Sequence, residues 1–248
     1  MKKILLFLTL LIASSYFFFT GSYALPTAKD VWTFSGNDNQ LTDAEKKEGW
    51  KLLFNGQNLD GWRTYQEKPG SWSVADGAIY CHKMEDHHYA DLITDKEYES
   101  FEISVDWKME PKANSGILYL VTEQYPETYL SGPEYQLMDD AGYAGKVEDF
   151  QKCGANYAMQ APVVNAANPP GEWNHTVIIK NKAHVEHWLN GKKVVEYELW
   201  SDEWKKQKAA DKWKDAEGYG AAKAGHIAFQ DYHGDGKVWF KNVKIKVL

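Results

Sequence analysis

The segment SGPEYQLMD at 131–139 holds the residue types best suited to chemistry in this chain. Glu134 and Gln136 stand two residues apart, so on a β-strand both side chains project from one face. A carboxylate beside an amide offers hydrogen-bond partners to hydroxyl groups, and the carboxylate can also act as a base. Polar and aromatic candidates recur in other predicted strands and loops: Asn114, Asp139, Trp173, Asn174, His187, Gln230 and Asp231. A sheet face that combines such polar groups with flat apolar rings is what sugar binding requires.

The spacing does not support two carboxylates that act together on a glycosidic bond. Such pairs lie about 5–5.5 Å apart in retaining enzymes and about 6.5–9.5 Å apart in inverting ones. Glu134 and Asp139 are five residues apart in sequence. On a regular strand their Cα atoms would lie about 16 Å apart, and their side chains would project from opposite faces. The segment 102–106 has the wrong spacing for the E-x-D-x-x-E strand of sandwich-fold glucanases, and neither G-x-S-x-G nor a phosphate loop occurs.

The charge balance argues against a protein that binds nucleic acid. Removing Lys2 and Lys3, which belong to a predicted leader, from the 28 basic residues leaves 26 against 35 acidic ones, a net charge of −9. Arg63 is the only arginine, whereas a nucleic-acid binder carries clustered Lys and Arg. We therefore expect no nucleic-acid partner.

The sequence does not assign a metal site. The eight histidines are scattered, and no Cys/His cluster has zinc spacing. The segment 231–236 offers oxygen ligands suited to Ca²⁺, but it is not an EF-hand loop, and a solvated turn is the favoured interpretation. A divalent metal, calcium or another, therefore stays open as a cofactor, and so does the oligomeric state.

The first 24 residues are predicted to be a secretory signal peptide. Two lysines precede an apolar run over 4–19, and Ser22-Tyr23-Ala24 places small residues at the −3 and −1 positions of a cleavage site. The run is shorter than the roughly 20 residues of a membrane-spanning helix, although an uncleaved anchor is the alternative. No cysteine follows the run, so a lipoprotein anchor is not expected. The mature chain is expected in the periplasm or outside the cell, without stable membrane insertion.

Cys81 and Cys153 are the only cysteines of the chain. Export permits a disulfide between them. Two buried thiols that are not bonded fit equally well, because a chain of this size buries enough core to need no covalent staple. The sequence leaves both states open.

Short strands separated by turn signals must position the polar side chains. Between 101 and 107, four apolar residues alternate with polar ones, which predicts a half-buried strand. Asp76-Gly77 and Asn190-Gly191 are strong signals for two-residue hairpins. Further strands are predicted at 50–54, 72–74, 78–80, 117–121, 177–179, 185–189, 194–199, 226–230 and 238–247. Such a pattern indicates an all-β fold, a sandwich of two antiparallel sheets.

Helix is predicted in two places only. Thr42 and Glu45 form a capping box for a short helix near 43–48, at the end of an N-terminal extension over 25–47. Ser201 can cap a second element over 201–214, which is either one short helix or an irregular loop. Residues 48–248 are expected to form one sandwich domain that carries this helical insertion.

The order of several motifs resembles the 3-keto-disaccharide hydrolase family. The matching pieces run from about residue 50 to the C-terminus: LFNGQNLDGW at 53–62, WSVADG at 72–77, NSGI at 114–117, GPEYQLMD at 132–139, GEWN at 171–174, HWLNG at 187–191, GHIAFQD at 225–231 and FKNV at 240–243. The resemblance implies a concanavalin A-like jelly-roll sandwich with its site on one sheet. It also implies cleavage of glycosides whose sugar carries a ketone at C3, by proton abstraction at C2, elimination at C1 and rehydration.

Such a route needs one base and a group that stabilises an enolate, rather than a carboxylate pair. On this basis Glu134 is the expected base or metal ligand, and Gln136 is expected to orient hydroxyl groups beside it. His233, together with Asn114, Asp139 and Asp231, is a secondary candidate for proton or metal handling. Trp173 is the candidate for stacking on a sugar ring, and Asn174, His187 and Gln230 complete the predicted binding set.

Two departures from the family pattern bear on activity. Relatives often carry Arg or His a few residues after the N-S-G-I motif, where this chain has Leu120. They also often read L-Q-D-H-G near the end, where Tyr232 here separates Asp231 from His233. If the missing polar group is catalytic, the chain would be slow or would only bind sugar. A non-catalytic carbohydrate-binding protein on the same fold is therefore the alternative hypothesis.

Overall fold

The computed structural model describes residues 38–82, 90–143, 145–231 and 236–248. The predicted signal peptide, Tyr232 and His233 lie outside the described residues. Within them the chain forms thirteen strands and two α-helices. The strands are β1 (Lys51–Leu52), β2 (Trp62–Thr64), β3 (Trp72–Ala75), β4 (Ala78–Cys81), β5 (Leu92–Tyr98), β6 (Phe101–Met109), β7 (Asn114–Val121), β8 (Glu134–Met138), β9 (Asn174–Asn181), β10 (His184–Leu189), β11 (Lys192–Glu198), β12 (Gly225–Phe229) and β13 (Val238–Val247). The helices are α1 (Asp43–Lys47) and α2 (Asp202–Ala210).

The strands form two antiparallel sheets that pack face to face. The larger sheet has eight strands in the order β11-β10-β9-β6-β13-β4-β3, with β1 paired to β13. The smaller sheet has five strands in the order β2-β5-β12-β7-β8. The predicted all-β sandwich of two antiparallel sheets with one short helical insertion is confirmed.

The core between the sheets follows the two-residue period of the strands. In β6, Phe101, Ile103 and Val105 are fully buried in it. In β8, Tyr135 and Leu137 are buried in the same core. Each such side chain contributes about 1.5–3 kcal/mol relative to exposure to water. Because neighbouring side chains of a strand point to opposite faces, burial of Tyr135 and Leu137 directs the rest of β8 to the outer face of the five-stranded sheet.

The short-range predictions hold at the turns. Asp76 and Gly77 join β3 to β4 with φ of 51° and 72°. Asn190 and Gly191 join β10 to β11 with φ of 48° and 77°. Positive φ at both central residues is the geometry of a type I′ hairpin, which matches the twist of the strands.

The helix caps also form as predicted. The Thr42 side chain accepts from the Glu45 backbone N–H, and the Glu45 carboxylate accepts from the Thr42 backbone, which completes the capping box of α1. Ser201 accepts from the Trp204 backbone N–H at the start of α2, so the second element is a helix rather than an irregular loop. No helix in the described ranges has the length and apolar character that crossing a membrane demands.

The two cysteines do not form a disulfide with each other. Cys81 lies on β4, where its sulfur is 2.9 Å from the Ser71 hydroxyl oxygen. Cys153 is buried in the loop after β8, and burial raises the pKa of its thiol to about 12. The unbonded alternative is therefore the one that the fold adopts.

Candidate active site

A cavity of about 270 Å³ opens on the outer face of the five-stranded sheet. Eight described residues line it: Asn114, Tyr129, Glu134, Gln136, Tyr143, Tyr157, Lys212 and Gln230. They bring together one carboxylate, three amides, three phenols and one ammonium group. Four of the eight, Asn114, Glu134, Gln136 and Gln230, were predicted as site residues from the sequence.

The register of β7 against β8 positions the Glu134 carboxylate. Gly116 lies opposite Gln136, and Leu118 lies opposite Glu134. The side chain of Glu134 leans over Gly116, so a Cβ atom at Gly116 would stand 2.4 Å from Glu134 Oε1. The glycine of the N-S-G-I motif is therefore required for the space that the carboxylate occupies, not for an unusual backbone conformation.

Gln136 presents an unsatisfied acceptor. Its Nε2 donates to Asn114 Oδ1 at 3.1 Å, which fixes the direction of the amide. Its Oε1 is buried and has no hydrogen-bond partner among the described residues. Leaving a buried polar atom unpaired costs about 1–3 kcal/mol. A hydroxyl group of a ligand in the cavity would satisfy this oxygen.

The backbone of Gln230 is hydrogen-bonded to β7. Its N–H donates to Gly116 O at 2.9 Å, and its carbonyl accepts from the Ser115 hydroxyl at 2.8 Å. The next residue, Asp231, donates its N–H to Asp91 Oδ1 at 2.9 Å. These bonds fix the backbone of Gln230, whose side chain lines the cavity, whereas Asp231, the next residue, is not among the described lining residues.

Asp91 is a buried carboxylate that the sequence analysis missed. It stands immediately before β5, accepts from the Asp231 backbone and is bonded to the Thr128 hydroxyl. It thereby joins three segments that are far apart in the chain, two of which continue directly into the lining residues Tyr129 and Gln230. A single aspartate before an apolar run does not predict from sequence that its side chain will bond to distant segments.

One wall of the cavity comes from the loop after β8. Tyr157 donates its backbone N–H to Glu134 O at 2.9 Å. Trp213, which follows α2, donates its indole N–H to Tyr157 O at 3.1 Å. The Tyr219 ring stacks on Trp213 with centroids 4.2 Å apart. Burial raises the pKa of Tyr219 well above its usual value, and the nearby Glu134 carboxylate raises it further.

Asp139 is not brought to this cavity. Its carboxylate accepts from the backbone N–H groups of Lys112 at 2.9 Å and Gly142 at 3.1 Å. It lines a different cavity of about 240 Å³ together with Trp107 and the loop over 165–170. The Asp139 carboxylate therefore holds loop backbone in place. It does not line the cavity beside Glu134, where it was predicted to contact substrate.

Neither Asn174, the first residue of β9 in the eight-stranded sheet, nor Trp173, which precedes it, lines this cavity. Asn174 Oδ1 accepts from Asn168 N at 2.7 Å and from Asn190 Nδ2 at 2.8 Å, so the amide ties a loop to a hairpin. The ring of Trp173 lies beneath the ammonium groups of Lys108 at 5.0 Å and Lys241 at 4.4 Å. The structure therefore does not bring the predicted binding amide and stacking ring to the cavity that Glu134 lines.

His187 is part of the core rather than of the cavity. It is fully buried, and its Nδ1–H donates to Gly154 O at 3.1 Å because a carbonyl can only accept. Its Nε2 therefore accepts from the Tyr119 hydroxyl at 3.0 Å. Burial lowers the pKa of His187 to about 4, so the ring is neutral near pH 7. A substrate at the cavity does not meet this ring.

Leu120 occupies a β-bulge in β7 and points into the core. His226 pairs with Val121 while Ala228 pairs with Leu118, so Tyr119 and Leu120 together oppose one residue of β12. Leu120 has φ of 60° and is fully buried in the core between the sheets. The departure from the family pattern at this position therefore removes no polar group from the lining of the cavity.

No metal site is assigned among the residues that the structure describes. One group of three potential ligands occurs among them, His184, Glu186 and Glu196 on β10 and β11, whose atoms lie within 4.8 Å of one another. Lys193 Nζ lies 3.2 Å from Glu186 and 2.5 Å from Glu196, so an ammonium group already compensates these charges. The group lies on the eight-stranded sheet and does not line the Glu134 cavity.

Comparison with known proteins gives consistent matches over most of the chain. Residues 49–246 match the model of a family described as a 3-keto-α-glucoside-1,2-lyase-like domain. A Bacteroides thetaiotaomicron protein named 3-keto-disaccharide hydrolase is 33% identical over 232 residues, which cover 81% of this chain and 79% of that protein.

Solved structures from Parabacteroides distasonis show the same architecture. One, described as a candidate glycosyl hydrolase, is 42% identical with a TM-score of 0.79, covering 86% of this chain and 100% of that one. A second, described in the same way, is 31% identical with a TM-score of 0.64, covering 80% of this chain and 99% of that one. The predicted jelly-roll sandwich is thus confirmed by comparison as well as by strand order.

Proposed function

Because this chain belongs to the family of 3-keto-α-glucoside-1,2-lyase-like domains, we propose that it cleaves glycosides whose sugar carries a ketone at C3. The Bacteroides thetaiotaomicron relative is named as a 3-keto-disaccharide hydrolase, and the Parabacteroides distasonis relatives are described as candidate glycosyl hydrolases. The observation that carries the proposal is the Glu134 carboxylate beside the unsatisfied Gln136 Oε1 in one cavity. The reaction needs such a base next to an acceptor for a sugar hydroxyl.

The reaction begins with a proton that the ketone makes acidic. The carbonyl at C3 withdraws electrons from C2, so Glu134 removes the C2 hydrogen and leaves an enolate. The carbonyl then re-forms, a double bond forms between C1 and C2, and the C1–O bond to the leaving group breaks. The leaving oxygen takes up a proton and departs as an alcohol. Water adds its oxygen to C1 and a proton to C2, so the net result is hydrolysis of the glycoside.

The lining of the cavity suits this route better than direct hydrolysis. Direct hydrolysis uses a second carboxyl group at about 5–5.5 Å or about 6.5–9.5 Å from the first. Glu134 is the only carboxylate among the described residues that line the cavity. The elimination route requires one base, and one is what the described lining supplies.

Binding of the sugar falls to the amides and phenols around Glu134. The side-chain amides of Gln136 and Asn114 are hydrogen-bonded to each other, and this arrangement leaves the buried Gln136 Oε1 available to a hydroxyl group of the sugar. The rings of Tyr129, Tyr143 and Tyr157 supply flat apolar surface for the C–H faces of a sugar. A carbohydrate is therefore the partner that the described lining fits.

The alternative function, sugar binding without catalysis, drew its support from Leu120. That side chain is buried in the core and is absent from the cavity lining. The alternative is separated from the proposed function by product analysis of the purified protein. A 3-keto-disaccharide and its unoxidised parent are each incubated with and without chelator, and the products are identified by mass spectrometry.

Cleavage of the keto sugar alone, with deuterium from D₂O incorporated at C2, is the expected result. Loss of activity with chelator would add a metal to the mechanism. Binding of both sugars without any product would overturn the proposal in favour of a binding protein. Cleavage of the unoxidised parent at an equal rate would overturn the elimination route.

Glu134→Gln tests the assignment of the base, because the amide keeps the shape of the side chain but cannot accept the proton. We expect kcat to fall by about 10²–10⁴, the range of general-base contributions. Glu172→Gln, at an exposed loop position, is the matched control and should retain full activity. A Glu134→Gln variant with unchanged kcat would remove Glu134 from the mechanism.

Export remains part of the same proposal. The protein recovered from the periplasm or the medium should begin at Leu25, after loss of residues 1–24. Intact-mass measurement of the native protein checks this. A full-length mass in the membrane fraction would instead indicate an uncleaved anchor.

A further inference from the structure

The helical insertion between β11 and β12 delivers a cation to the cavity. α2 begins at the Ser201 cap and ends at Ala210, and Lys212 follows two residues later. Lys212 lines the cavity together with Glu134 and Gln136. It is the only Lys or Arg among the described residues that line this cavity. The insertion has no other part in the proposed reaction.

The backbone next to Lys212 is held by a stack of buried rings. Trp204 of α2 stacks on Tyr219 with centroids 6.2 Å apart, and Tyr219 stacks on Trp213 at 4.2 Å. The Trp213 indole N–H donates to Tyr157 O, so the stack is joined to the cavity wall. Lys212 precedes Trp213 directly, and its main chain is therefore fixed relative to the Glu134 side of the cavity.

The Lys212 ammonium group rests on aromatic faces instead of on a carboxylate. Its Nζ lies 4.2 Å from the Tyr157 ring centroid and 4.6 Å from that of Trp213. Ring faces attract cations without neutralising their charge. By contrast, Lys152, Lys244 and Lys246 each pair with a carboxylate, and no such pair in the described part of the chain includes Lys212. Its charge remains available to a ligand.

We propose that Lys212 supplies the positive charge that stabilises the enolate oxygen on C3 of the substrate, an inference that rests on the proposed function. When the C2–H bond breaks, its electron pair forms the C2–C3 double bond and the carbonyl electrons move onto the C3 oxygen. An ammonium group placed beforehand beside that oxygen lowers the energy of the transition state more than that of the neutral ketone. The other described lining groups are neutral, apart from the base itself.

Lys212→Met tests this role because it removes the charge and retains most of the apolar stem. Lys214→Met is the matched control, since it removes the same charge two residues away at an exposed position that does not line the cavity. Lys212→Arg restores a cation with different geometry. Activity on a 3-keto-disaccharide and the rate of C2 hydrogen–deuterium exchange are measured for all three variants, with thermal melting as the check on folding.

We expect Lys212→Met to lower kcat and the exchange rate together by about 10- to 100-fold, less than a fully buried oxyanion donor because Lys212 is exposed. KM should change by less than about threefold, since the interaction forms mainly in the transition state. Lys212→Arg should recover part of the loss, and Lys214→Met should behave as the unaltered protein.

Three results would overturn the inference, and they can be distinguished. If the unaltered protein cleaves the keto sugar and Lys212→Met keeps its kcat and exchange rate, Lys212 has no role in the chemistry while the proposed function stands. A raised KM with unchanged kcat would likewise assign Lys212 to ground-state binding and overturn it. If the unaltered protein shows neither cleavage nor exchange, no enolate forms, and both proposals fail.

Discussion

Gly116 and Glu134 lie on neighbouring strands so closely that a Cβ atom on Gly116 would stand 2.4 Å from the Glu134 carboxylate oxygen. That separation is far below any ordinary contact between carbon and oxygen. The glycine is therefore part of the site even though it has no side chain. It connects two motifs that are separated in sequence, N-S-G-I on β7 and G-P-E-Y-Q on β8.

Gly116→Ala should displace the Glu134 carboxylate and lower kcat by at least about tenfold, because a misplaced base loses its alignment with C2. Its cost in stability should be about 1–3 kcal/mol, as for other overpacked sites. Gly70→Ala is the control: there a Cβ would stand 2.6 Å from the Thr64 methyl carbon, away from the cavity. Steady-state kinetics and denaturant unfolding of both variants check this, and equal kcat values would contradict it.

Gln136→Leu should weaken substrate binding while changing stability little. The substitution removes a buried acceptor that has no partner among the described residues, and this gain offsets the donor that Asn114 loses. We expect KM to rise by about tenfold, the equivalent of about 1.4 kcal/mol, with the free energy of unfolding within about 1 kcal/mol of the original. An unchanged KM would show that substrate does not reach Gln136 Oε1.

Glu123 should stabilise the fold in a pH-dependent way. Its side-chain bonds to Arg63, at 2.7 and 2.6 Å, lower its pKa from 4.5 to about 2. Because the folded state holds the proton more weakly than the unfolded state, this stabilisation is complete above about pH 4.5 and is lost as the pH falls to about 2. Glu123→Gln should cost about 1–2 kcal/mol at pH 7, allowing for solvent screening.

Denaturant unfolding of the original protein and of Glu123→Gln, from pH 7 down to pH 2, measures this difference. The two curves should converge as the pH approaches 2. A difference that stays constant over the whole range would mean that Glu123 acts through packing rather than through its charge.

His187 should destabilise the fold in mild acid. Its pKa is about 4 in the folded state against 6.5 as the ordinary value, so the unfolded state binds a proton first as the pH falls. Stability should therefore decrease between about pH 6.5 and pH 4, by up to about 3 kcal/mol. His187→Gln should lose stability near pH 7, since the Tyr119 hydroxyl loses its imidazole acceptor, but should lack this part of the pH dependence.

The same variant also separates a structural role from a binding role. If His187 acts only in the core, folded His187→Gln should retain the KM of the original protein. Kinetics at a temperature well below the melting transition provide that test. A KM raised more than about tenfold would return His187 to the list of binding residues.

The local features of this chain were predictable because each depends on residues close together in sequence. The Thr42 capping box, the Asp76-Gly77 hairpin and the Ser201 cap each need only two to four neighbouring residues, and all three are present. The shared face of Glu134 and Gln136 follows from the two-residue period of a strand. Asn114 and Gln230 could be added because they belong to motifs arranged in the family order.

The misplaced residues were polar groups that hold backbone together. Asn174, Asp139 and His187 stand in motifs as prominent as that of Glu134, yet their side chains bond to loop amides, a hairpin amide or core hydroxyls. The type of a residue does not distinguish these uses. A polar atom that is satisfied by the chain is structural, and its partner can lie far away in sequence: Lys112 is 27 residues from Asp139, and Tyr119 is 68 residues from His187.

The sequence by itself determined most of the strands, their hairpin turns and which side chains share a face, but it did not predict β2 or β5. Only the tertiary structure decided which of those faces is buried between the sheets and which borders a cavity. Lys212 and Tyr157 line the cavity because of contacts between segments far apart in the chain. Leu120 is buried in the core at a bulge that the pairing of β7 with β12 determines. Alternation along a strand is a local property of the backbone, whereas sheet packing and loop closure are long-range.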